Sequence, residues 1–168
     1  MFTTNFERAF KNHEAGIRLK FEYYDEAKVD VQELAQSLAF NDEVYAVIGG
    51  LYSSNAAILA AGLTLVGKTF FTLATAEQLV RAYASTGYLW AMTETDITQC
   101  EVLLSKVINY EGESVALLAK ENDNYGQTFI DWFAFQAREL GLKNMGCYAY
   151  TSENVADVSR QAMQSGAE

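Results

Sequence analysis

Hydrophobic periodicity switches between two and 3.6 residues along almost the whole 168-residue chain, and this alternation restricts the fold more than any single motif does. A helix is predicted over residues 3–12, with Phe2, Phe6 and Phe10 on one side, ending towards Gly16. The segment IRLKFEYY, residues 17–24, then alternates as a strand. Asp30 and Glu33 have capping-box spacing and open a helix whose Val31, Leu34, Ala35 and Leu38 form one apolar stripe. The strand VYAVIG follows over residues 44–49. After LYSS come a helix over residues 55–62, a β-rich strand over 69–73, a helix beginning near Thr75 and a strand over 88–93. Asp96 and Gln99 repeat the capping-box spacing above a stripe of Ile97, Cys100, Leu104, Val107 and Ile108. A strand over 114–120, a helix over 126–140, the strand NMGCYAY and a last helix from Asn154 to Gly166 complete the chain.

Strands alternating with helices of this length imply right-handed crossovers, hence an α/β, Rossmann-like three-layer fold with a mainly parallel sheet covered on both faces. Because the chain begins and finishes on helices, which pack against strands in such folds, it reads as a fragment. Trp132 and Phe135 lie off the apolar stripe of their helix, formed by Phe129, Phe133 and Leu140, and call for cover from elsewhere.

Charge narrows the partners. Twelve basic against 22 acidic residues give −10, which repels phosphate backbones and anionic membranes, so nucleic acid is not expected. The longest apolar runs fall short of the roughly 20 residues that span a bilayer. Two cysteines, Cys100 and Cys147, have no CxxC or histidine nearby, so no zinc site is expected. They read as buried thiols, with a disulfide between them left open. The chain lacks proline altogether, a feature with no physical account.

In open parallel sheets ligands bind beyond the carboxyl ends of the strands, which directs attention to the loops there. Behind VYAVIG stand Ser53 and Ser54, two hydroxyls at a helix N-terminus whose unpaired amides suit a carboxylate; the alternative is that one of them only caps the helix. The next unit repeats the arrangement with Ala74 and Thr75, although Thr75 and Gln78 also have capping-box spacing. The loop ENDNYG carries Tyr125, which either covers a ligand with its ring or packs on its own helix. Catalytic constellations are missing. The one histidine, His13, lies at a helix C-terminus, where a cation is favoured on structural grounds alone. No GxGxxG or GxSxG motif is present, and GLTLVGKT, residues 62–69, has the GxxxxGK[ST] spacing but leads from an expected helix into an expected strand, the reverse of a phosphate-binding loop's order. Asp25 and Glu26 form a candidate acid–base or ammonium-binding pair, against the plainer reading of a solvated loop.

The succession FEYYDEA, VYAVIGGLYSSNA, FFTLATAEQL, GYLWAMTETDITQ and SVALLAKENDNYGQTFIDWF, with ELGL after it, resembles the type I periplasmic solute-binding proteins, particularly the branched-chain amino acid receptors of ABC transporters. The resemblance implies two Rossmann-like lobes closing on a ligand: residues 1–95 as the N-terminal lobe without its first strand, and 96–168 as the start of the C-terminal lobe. It implies that Ser53, Ser54 and the turn Ala74–Thr75 bind the carboxylate and ammonium of an amino acid, with Tyr125 reaching in from the other lobe. Leu73 and Ala74 replace the proline and glycine usual in that turn, which bears on ligand identity; Tyr52 stands where some members have a disulfide cysteine. The function so implied is an extracytoplasmic receptor, periplasmic and with a lipid anchor left open, for an amino acid or similar small carboxylate. No cofactor, metal or catalysis is implied; the implied partner is a membrane permease, and a homodimer stays open. Two alternatives remain: a Rossmann-like enzyme using Asp25 or Asp123 as a base, and the ligand-sensing domain of a signalling receptor.

Overall fold

The computed structural model describes residue 8 and residues 19–168. Apart from Arg8, the helix expected over residues 3–12 lies outside the described residues, as do its stop at Gly16 and His13. Two parallel sheets follow one another along the chain. The first contains β1 (Ala46–Gly49), β2 (Thr69–Thr72) and β3 (Leu89–Ala91) in that order, and the second pairs β4 (Ser114–Lys120) with β5 (Lys143–Tyr150). Helices α1 (Val31–Ala39), α2 (Ser53–Thr64) and α3 (Glu77–Tyr83) belong to the first sheet, while α4 (Asp96–Asn109), α5 (Asn124–Glu139) and α6 (Val155–Gln164) belong to the second part. The mainly parallel α/β fold expected from the periodicity is the fold observed.

Register explains which side chains build the first core. Val47, Phe70 and Leu89 are aligned across β1, β2 and β3, and all three pack with α1, α2 and α3 around the fully buried Phe70. One residue further on, the aligned row Ile48, Phe71 and Trp90 points to the other face, because side chains alternate along a strand. Among the described residues that face has no helix over it at this row, and Ile48 and Trp90 are 45% and 57% exposed. The second core gathers Cys100 and Leu104 of α4, Val115 of β4, Phe129, Phe133 and Ala137 of α5, and Leu142. Phe135 stays exposed beside Trp132, its ring 6.1 Å away edge-on and the Arg138 guanidinium 5.5 Å above it.

Several expectations need correction. Residues 19–24, within the segment expected as a strand, form none. Alternation makes a strand only where a neighbour offers hydrogen bonds, and among the described residues the first sheet begins at β1. The helix expected from Thr75 begins at Glu77, with Ala76 as its uncapped N-cap. The preceding turn is held extended by two bonds, Leu73 N to Gly49 O at 3.1 Å and Ala74 N to Thr72 Oγ1 at 3.1 Å. Thr95, not Asp96, is the N-cap of α4. The two cysteines are free, and Cys147 is exposed rather than buried because it occupies an outward position of β5.

Candidate functional site

Parallel pairing brings the carboxyl ends of β1 and β2 to one edge, so the turns opening α2 and α3 lie side by side. The first turn depends on Gly50, whose φ of +65° is left-handed and where a Cβ would fall 2.9 Å from that of Ala56. It is also held from outside: Glu26 accepts the Leu51 amide at 3.1 Å and the Asn55 side-chain amide at 3.4 Å. Glu26 is thus a carboxylate placed at the opening of α2, where helix amides favour negative charge. Tyr52 is the N-cap and contributes no side-chain bond, so neither serine caps the helix. Ser53 is buried at 6% exposure, whereas Ser54 is exposed and lines a hollow of about 600 Å³ between α1 and α2 together with Gln32, Ala35 and Gln36.

Thr72 knots the two turns together. Its fully buried hydroxyl donates to Gly50 O at 3.3 Å while accepting from Ala74 N. Ala74 is itself buried, and Thr75 is half-buried with its carbonyl accepting the Asp96 amide at 2.9 Å. From the next crossover, Thr93 Oγ1 lies within reach of the Leu73 and Ala74 carbonyls at 3.3 and 3.4 Å. Thr72 was missed in the sequence because a threonine ending a strand is unremarkable until register shows what it faces.

The second sheet presents its own carboxyl edge through the loop before α5. Asp123 caps that helix, accepting from Gly126 N at 3.0 Å. A Cβ on Gly126 would lie 2.5 Å from Lys120 O, so glycine is what lets α5 start against the end of β4. Tyr125 is 42% exposed; its hydroxyl donates to Gln99 Oε1 at 3.1 Å and its ring stands edge-on to Phe129 at 5.0 Å. Burial, with Asp96 and Asp123 nearby, raises the tyrosine's pKa. A smaller hollow of about 170 Å³ lies where α2 and α3 meet the first residue of α5, lined by Ala57, Ala76, Gln78, Leu79 and Asn124 among others. The geometry therefore brings Ser53, Ala74 and Thr75 to one sheet edge, turns Ser54 towards the α1 side, and leaves Tyr125 bonded to Gln99.

The carboxylates considered as catalytic groups have structural partners. Asp25 pairs with Lys28 at 2.7 Å and accepts from Ala27 N, and these bonds hold its pKa below the ordinary carboxylate value. Glu26, its expected partner, is engaged instead with Leu51 and Asn55. Asp96 is the buried carboxylate that motif reading did not flag as a site: it is fully buried, accepts Glu77 N at 3.1 Å through Oδ1, and has no hydrogen-bond partner at Oδ2. Burial pushes its pKa up, opposed by the Glu77 amide and by the nearby Thr128 hydroxyl, whose own hydrogen bond goes to Asn124 O at 3.4 Å and leaves Oδ2 unpartnered. Among the described residues no three His, Cys, Asp or Glu side chains group as metal ligands, and no helix is long and apolar enough to cross a membrane.

Comparison with known proteins gives one consistent result. The model of a family described as periplasmic binding protein matches residues 6–168. The fold is similar to that of an ABC-transporter substrate-binding protein from Desulfitobacterium hafniense in complex with Leu, with a TM-score of 0.76 at 18% identity over 99% of this chain and 50% of that one. It is equally similar to a solute-binding protein from R. palustris in complex with 4-hydroxybenzoate, with a TM-score of 0.76 at 17% identity over 93% and 43%. A solute-binding protein from Rhodopseudomonas palustris BisB5 in complex with 3,4-dihydroxybenzoic acid gives a TM-score of 0.72 at 16% identity over 88% and 40%. The chain thus spans half or less of the length of these solved structures. No curated protein matches the sequence.

Proposed function

The chain belongs to the periplasmic binding protein family, and on that premise we propose that it forms part of an extracytoplasmic receptor that delivers a small carboxylate to the permease of an ABC transporter. Residues 1–95 and 96–168 would contribute to two lobes that close on the ligand. A ligand drives such closure only to the extent that it binds the closed state better than the open one.

The observation that carries this reading is the pair of helix-opening turns tied together at one sheet edge by Thr72 and by the Leu73–Gly49 bond. The amides that open α2, which receive no side-chain cap from Tyr52 and lie beside the buried Ser53, suit the negative end of a solute. Thr75 supplies a second hydroxyl from the adjacent turn, and Tyr125 would reach in after exchanging Gln99 for the ligand. The ligands in the three similar structures, leucine and two hydroxylated benzoic acids, share a carboxylate and little else. Their chemistry supports a carboxylate-binding role and favours neither an amino acid nor an aromatic acid. The reading as an enzyme is weakened, since both proposed bases, Asp25 and Asp123, are tied into turns and caps.

Titration calorimetry with leucine, 4-hydroxybenzoate and 3,4-dihydroxybenzoate, each beside its methyl ester, tests the proposal. Binding of at least one acid with recovery of unaltered ligand, and loss of binding for its ester, is the expected result. Equal binding of acid and ester, or a new product detected by mass spectrometry, would overturn it.

A further inference from the structure

The turn from Leu73 to Glu77 is gripped from below by residues that belong to the second part of the chain. Asp96 makes two of these contacts at once: its backbone amide donates to Thr75 O at 2.9 Å, and its side-chain Oδ1 accepts Glu77 N at 3.1 Å. The two bonds bracket Ala76, the N-cap of α3. Asp96 is also the first residue of α4, whose Cys100 and Leu104 are packed in the second core, whereas Leu79 of α3 is packed in the first. A fully buried carboxylate with one oxygen unpartnered is costly to keep, and at this position an apolar residue would remove that cost.

We propose that Asp96 is a positioning residue for the candidate ligand turn, fixing Ala74 and Thr75 to the second core through the Glu77 amide without touching the ligand. The inference rests on the receptor reading only for the role of the turn. The tether itself is a property of this chain.

Amide hydrogen exchange on the full chain tests the tether. Loss of a hydrogen bond to a charged group corresponds to about a tenfold to hundredfold change, so Asp96→Ala should accelerate Glu77 amide exchange by that factor relative to the Phe70 amide in β2. Asp96→Asn keeps an acceptor oxygen and should change that ratio by less than about threefold. If alanine does not fold, Asp96→Ser, whose oxygen falls short of Glu77, carries the same comparison. Equal acceleration of both amides, or no change at Glu77, overturns the proposal. With leucine and 4-hydroxybenzoate as probes, the alanine or serine variant should lose affinity while the asparagine variant keeps it. Failure of both probes to bind the unmodified protein would count against the ligand reading alone, since the exchange result decides the tether.

Discussion

Gln78 donates a hydrogen bond of 2.9 Å to Asp131 and so joins α3 on the first sheet to α5 on the second. The other oxygen of Asp131 accepts Gln127 Nε2 at 2.7 Å within α5, which fixes the carboxylate for its longer-range partner. Because the pair is exposed, a double-mutant cycle between Gln78→Ala and Asp131→Ala should give a coupling of about 0.5–1 kcal/mol, measured by urea denaturation. A coupling of zero would mean that water replaces the bond without loss.

Replacement of Ser53 or Thr75 by alanine should weaken carboxylate binding about tenfold to a hundredfold, the effect of one hydrogen bond to a charged group. Ser54 lines the hollow beside α1 rather than the shared edge, so Ser54→Ala should change affinity by less than about threefold. Calorimetry on the three variants checks the order. An effect at Ser54 as large as at Ser53 would place the ligand on the α1 side.

The fold was readable because period carries burial directly: Ser114–Lys120 coincides with its expected strand, and Asp30 caps α1 through the amides of Gln32 and Glu33. The capping pair at Thr75 and Gln78 misled because tertiary bonds won. Thr72 and Gly49 hold the turn extended, and Asp96 reaches the Glu77 amide from 19 residues away. Local spacing cannot reveal an acceptor supplied by a later element. The same limit hid Glu26, which looked like half of an acid–base pair until its bonds to Leu51 and Asn55 showed it bracing the α2 turn. Ser53 and Thr75 were findable as hydroxyls after strands, but only β1–β2 pairing puts their turns at one edge.

Thiol labelling should distinguish the two cysteines. Cys100 is buried in the second core, and burial with Asp96 nearby pushes its pKa to about 11. Cys147 is exposed, although partial desolvation raises its pKa as well. Since the thiolate is the reactive form, iodoacetamide at pH 8 should alkylate Cys147 and leave Cys100 unmodified until denaturant is added. Peptide mapping by mass spectrometry checks the site, and modification of Cys100 in the native protein would contradict its burial.

Asp96 should also leave a signature in the pH dependence of stability. Its pKa in the fold is raised, with burial the largest cause, and the titratable side chains acting with it are Cys100 on its own helix and Tyr125 at the start of α5. A raised folded-state pKa means that the native protein holds this proton more tightly than the unfolded chain does. The resulting stabilisation is fully present below the unfolded value of 3.8 and is lost as pH rises through the folded one. Ionising the buried carboxyl is therefore a net burden, relieved in part by the Glu77 amide. Asp96→Asn keeps the acceptor and never ionises, so its stability relative to the unmodified protein should improve from pH 4 to pH 7. Urea midpoints across that range provide the measurement. A stability difference that stays flat would show that the bond to Glu77 cancels the effect of burial, and one that moves in favour of aspartate as pH rises would show that the bond outweighs burial and that the carboxyl titrates below its ordinary value.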